Sequence, residues 1–135
     1  MGPNDAQKII QAAHQAPFGR GEETIVDTSI RNTSELDPTK FTLSPGWTDY
    51  IRRLKVQVCE DLGVPNVEVR ADLYKMLLYE TGAMFKPHAD SEKASGMFAA
   101  MVISLPSAHF GGAVVVNHNG RSRVLQTYLH EYLAW

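Results

Sequence analysis

Only one cysteine, Cys59, occurs in the 135 residues, so no internal disulfide can form and a reducing compartment is the expected setting. Long apolar runs are missing too. None approaches the roughly 20 residues that a membrane helix needs, and Met1-Gly2-Pro3-Asn4 has neither the charged nor the apolar region of a secretory signal. The expectation is an intracellular protein, cytoplasmic or nuclear, with no membrane partner. Charge of one sign is also scarce: 13 basic residues stand against 15 acidic ones, a net charge of −2. Arg52, Arg53 and Lys55 cluster, but among Asp49, Glu60 and Asp61 on an expected helix, so they form a solvated face and give no nucleic-acid footprint. The turn Pro17-Phe-Gly-Arg-Gly-Glu-Glu23 lacks the spacing of a phosphate loop, and there is no repeat or low-complexity tract.

A chain with 44% hydrophobic residues suits one domain with a core, and residues 1–135 are taken as that single domain. Ile9, Ile10 and Ala13 recur at helical spacing over residues 5–16, with Asn4 or Asp5 as cap and Pro17 as stop. Residues 24–27 predict a brief strand, followed by polar linker to Pro38. Ser44-Pro45 predicts a capped helix start, and Trp47, Ile51, Leu54, Val58 and Leu62 then make an apolar stripe that Gly63 ends. Strands are expected over 67–69, 73–80, 97–105, 113–118 and 122–126, with Asn117-His-Asn-Gly120 as a hairpin turn. Strands apolar on both faces imply an inner sheet covered by the two helices.

The most informative stretch is Tyr79-Glu-Thr-Gly-Ala-Met-Phe-Lys-Pro-His88-Ala-Asp90. In an extended chain residues i and i+2 share a face, so His88 and Asp90 can hold one metal. His-x-Asp is how many non-haem iron oxygenases present two legs of a 2-His-1-carboxylate triad. Nothing after Asp90 supplies an obvious distal histidine. His130 is a candidate third leg whose alternative is a surface histidine; His118 falls in the hairpin turn, His109 in a loop, and His14 on the first helix.

Leu73-Tyr-Lys-Met-Leu-Leu-Tyr79, Gly82, Phe85, His88, Asp90, Gly96-Met-Phe98, Met101-Val-Ile-Ser-Leu-Pro106 and Gly111-Gly112 follow one another in an order that resembles the Fe(II)/2-oxoglutarate-dependent dioxygenases, in particular the prolyl-4-hydroxylase-like branch and its fungal relatives. Residues 17–27 resemble the leader region of the fungal group. The resemblance implies an α+β fold: a double-stranded β-helix, or jelly roll, with N-terminal helices packed on one sheet. It implies Fe(II) held by His88 and Asp90, and 2-oxoglutarate in a pocket lined by Tyr79 and Phe85. Ser104 would stand near the far carboxylate of 2-oxoglutarate, and Lys75, on the face of Tyr79, is a hypothetical partner for a co-substrate carboxylate. Oxygen is the second co-substrate and ascorbate a family-implied cofactor; the substrate is a protein or small molecule. In the family, an aromatic-rich strand like Tyr132-Leu-Ala-Trp135 leads into the distal histidine and a basic anchor. The expectation is therefore that the last strands are missing from this chain and that the exposed edges favour a homo-oligomer. A non-catalytic binding or oligomerising module on the same scaffold is the alternative. A zinc hydrolase built on His88, Asp90 and His118 or His130 is a further rival, without a His-Glu-x-x-His motif to support it.

Overall fold

The computed structural model describes residues 3–20, 23–64 and 69–129, and shows an α+β protein of two helices and several small antiparallel sheets. It divides into two compact units, Lys8–Lys86 and Met1–Gln7 with Pro87–Trp135. Helix α1 spans Pro3–Ala12, with a proline in the first turn, where its missing N–H costs nothing. The sequence pattern runs on to residue 16, but the helix stops earlier. Ala13 N–H closes the last turn on Ile9 O at 2.9 Å, and strand β1 (His14–Gln15) then pairs with β5 (Ser34–Leu36). Ladder bonds outcompete helical propensity there, and His14 lies on a strand.

Helix α2 covers Gly46–Asp61. Ser44 contributes its carbonyl, not the expected side-chain cap, accepting from Trp47 N–H at 2.9 Å, and Pro45 makes no side-chain cap bond. At the other end Gly63 adopts φ 69°, Gly63 N–H bonds Glu60 O at 3.0 Å, and Val64 N–H bonds Cys59 O at 2.9 Å. This paired arrangement satisfies carbonyls of the last turn and requires a residue at ease with positive φ. Trp47, Ile51, Leu54 and Val58 are half-buried, while Leu62 is exposed.

The remaining strands are β2 (Phe18–Arg20), β3 (Glu23–Ile25), β4 (Arg31–Asn32), β6 (Met76–Leu78), β7 (Met84–Phe85), β8 (Val114–His118) and β9 (Arg121–Leu125). They form sheets β1-β5-β6, β2-β3, β4-β7 and β8-β9, every pair antiparallel, and none closes into a barrel among the described residues. The first three lie in unit Lys8–Lys86. Two of its strands, β4 and β5, run through a stretch that reads as polar linker. Arg31, Thr33, Glu35 and Leu36 are nonetheless buried there, with backbone and side-chain bonds across the fold: Ala16 N–H bonds Thr33 O at 2.8 Å, and Gln15 Nε2 bonds the same carbonyl at 3.0 Å.

Strand β6 is shorter than the expected 73–80. Residues 97–105 hold only an isolated bridge at Ile103, Val69 is not in a strand, and 67–68 lie outside the described residues. In the other unit, Asn119 (φ 48°) and Gly120 (φ 71°) join β8 to β9. Two successive positive φ values form the turn that matches the right-handed twist of a tight hairpin, so Asn-Gly was a reliable signal. No helix among the described residues is long and apolar enough to cross a membrane.

Candidate metal centre

Positive φ at Gly82 (80°) and the bond from Ala83 N–H to Glu80 O at 2.8 Å make a turn between β6 and β7; both strands are antiparallel to the segment 31–36, so the chain then resumes the direction of β6 and β7 pairs with β4. Beyond Pro87 the backbone carries His88 and Asp90 in a segment outside the strands assigned among the described residues. The i, i+2 spacing still brings the side chains together: His88 Nε2 stands 3.8 Å from Asp90 Oδ1, with side-chain exposures of 42% and 62%. Two donors each about 2.1 Å from one ion are about 3.0 Å apart at a right angle, so closing this pair on a divalent metal takes a side-chain movement of less than about 1 Å. The donor chemistry, one imidazole and one carboxylate open to solvent, fits such an ion. Among the described residues no third His, Cys, Asp or Glu completes a cluster. His130 lies outside them.

The other residues singled out from sequence are dispersed. Tyr79 is exposed; Phe85 is half-buried beneath Arg31, whose guanidinium carbon sits 4.5 Å from the ring centroid. Lys75 donates to Glu35 Oε2 at 2.6 Å and lies 4.5 Å from the Tyr74 ring centroid, so an anion reaching Lys75 has to compete with a carboxylate already bonded to it. Glu35 is buried on the central strand of its sheet. It also meets His14 Nε2 at 3.4 Å, the residue opposite it on β1. Tyr79, Phe85 and Lys75 belong to unit Lys8–Lys86, whereas His88, Asp90 and the half-buried Ser104 belong to the other.

Sequence reasoning passed over His109. Its Nδ1 is 2.8 Å from Ser107 O, and since a carbonyl only accepts, Nδ1 carries a hydrogen. Nε2 is 2.9 Å from Thr127 Oγ1, which also donates to Gly112 O at 3.1 Å, so one hydroxyl hydrogen serves two acceptors when the imidazole is neutral. Gly112 holds φ 69° directly over this pair, a conformation that suits glycine. The Gly111-Gly112 pair was the available sequence signal. A shallow cleft of about 480 Å³ lies elsewhere, lined by Ile51, Arg52, Lys55, Val69 and Arg70 among others.

Compared with known proteins, the chain matches no family model, no curated protein and no solved structure.

Proposed function

We propose that this chain carries the proximal half of the iron site of a 2-oxoglutarate-dependent oxygenase of the prolyl-4-hydroxylase-like kind, acting on a protein or small-molecule substrate. The observation that carries the reading is the facing pair His88 Nε2 and Asp90 Oδ1, 3.8 Å apart, open to solvent and two residues apart in the chain. The jelly-roll architecture belongs to the same proposal, supported by wholly antiparallel pairing in which β1 joins β5 and β4 joins β7 out of sequence order. Bound Fe(II) would supply the oxidative chemistry, with 2-oxoglutarate and oxygen as co-substrates. The protein's part is to hold the donors: the i, i+2 spacing sets the His88 imidazole beside the Asp90 carboxylate. His130 is the third ligand of this reading.

A second reading, a non-catalytic binding or oligomerising module, is favoured by a different observation: Phe98, Phe110, Val115 and Val124 are all exposed. One experiment separates the two. Anaerobic titration with Fe(II) or Mn(II), with and without 2-oxoglutarate, should give saturable binding and the visible iron–keto-acid absorption band. His88→Ala and Asp90→Ala should each weaken binding by tenfold or more, and His130→Ala should do the same. Binding indifferent to His88 and Asp90 would sink the oxygenase reading.

A further inference from the structure

Helix α2 presents Thr48, Ile51, Arg52 and Lys55 on one face, because positions i, i+3, i+4 and i+7 line up along an α-helix. Residues 69–71 pass that face and leave a cleft of about 480 Å³, lined by those four side chains together with Val69, Arg70 and Ala71. Lys55 is half-buried, and its Nζ donates to Val69 O at 2.6 Å, which leaves two of the three ammonium hydrogens for another acceptor. No carboxylate among the described residues forms an ion pair with Lys55. Arg52 meets Asp49 at 2.9 Å and Arg70 meets Asp72 at 2.8 Å, with side chains 62% to 84% exposed. Pairs so open to water hold their partners weakly, so either guanidinium is able to turn to a better acceptor.

Three cations thus surround the cleft against two carboxylates, and the carbonyl on Lys55 supplies a dipole, not a net negative charge. The cleft has the volume of a small-molecule site, and Ile51, Val69 and Ala71 set carbon surface beside the charge. A phosphate group carries close to two negative charges and three acceptor oxygens, one for each cation, where a carboxylate has one charge and two oxygens. Glu60 and Asp61, further along α2, oppose an extended polyanion. We propose that this cleft binds a small phosphomonoester, its phosphate on Lys55 Nζ and the guanidiniums of Arg52 and Arg70, its carbon part against Ile51 and Val69. The inference does not use the metal pair: the cleft lies wholly in unit Lys8–Lys86, and His88 and Asp90 lie in the other.

The test is titration of the full chain with phenyl phosphate at low ionic strength, followed by amide NMR. The amides of Ile51, Lys55, Arg70 and Ala71 should move saturably. Inorganic phosphate should bind about tenfold more weakly, because it leaves the apolar wall unused. Lys55→Gln should weaken phenyl phosphate by about tenfold and Arg70→Gln, at an exposed side chain, by about threefold. Arg53→Gln, on α2 but outside the lining, should bind as the parent does. Absence of saturable movement at these amides overturns the site, as does parent-like binding by both Lys55→Gln and Arg70→Gln. An equal loss in Arg53→Gln would reduce the effect to diffuse surface charge, and equal affinity for inorganic phosphate would remove the phosphomonoester as ligand; either result overturns the proposal.

Discussion

Asp37 shows how one side chain ties a local turn to pH. Its Oδ1 accepts from the Thr39 hydroxyl at 2.6 Å and from Thr39 N–H at 2.8 Å, capping the 3-10 turn Pro38–Lys40. The hydroxyl bond first, then the backbone bond, hold the carboxyl below its ordinary value, with Lys40 and His14 adding smaller attractions. A folded-state value below the unfolded one means stabilisation present above the unfolded value and lost as pH falls through the folded one. Carboxyl-detected NMR titration should therefore find Asp37 ionised to lower pH than an aspartate in the unfolded chain. In Asp37→Asn the Thr39 amide should lose its acid-limb shift. At this same scale the pair His88 and Asp90 was legible from spacing alone, because i and i+2 in extended chain share a face whether or not a partner strand is present. Arg31 was not: its burial depends on β7 arriving from 54 residues away in sequence.

At the scale of elements, the central strand β5 is built around Glu35, flanked by His14 of β1 and Leu77 of β6. Lys75, two residues before Leu77 and so on the same face, closes the ion pair. Removing the cation leaves a carboxylate in a mostly dry site, with His14 its remaining ion-pair partner among the described residues. Lys75→Met should therefore cost about 2 to 3 kcal/mol in urea unfolding, and Lys75→Met combined with Glu35→Leu should recover most of that loss. A single-variant loss below about 0.5 kcal/mol would show that water already screens the pair. Helix α2 and hairpin β8-β9 were readable in advance because their ends are written locally, in Gly63 and in Asn119-Gly120. Strands β4 and β5 were not, since Arg31-Asn-Thr-Ser-Glu-Leu36 has no apolar alternation and is held by cross-strand bonds and an ion pair.

Across the whole molecule, the buried apolar side chains among the described residues are Ala16, Leu36 and Leu125, while Phe110 is fully exposed and Phe98, Val115 and Val124 more than half so. Apolar surface of this kind is stabilised by association, and among the described residues β8 and β9 pair with each other alone. Sedimentation at rising concentration should show self-association, with dye-detectable apolar surface falling as oligomers form. A species of constant 15.0 kDa mass that binds no dye would contradict this.

By itself the sequence determined helix α2, the body of α1, the Asn-Gly hairpin and the His-x-Asp pair, because helical periodicity, turns and i, i+2 spacing act over a few residues and need no distant partner. Only the tertiary structure decided where α1 gives way to a strand, that a polar stretch becomes the middle of a sheet, and that Lys75 meets Glu35 while Arg31 lies over Phe85. Those outcomes rest on ladder bonds and charge pairing between residues far apart in the chain, whose strength depends on burial that no local pattern records.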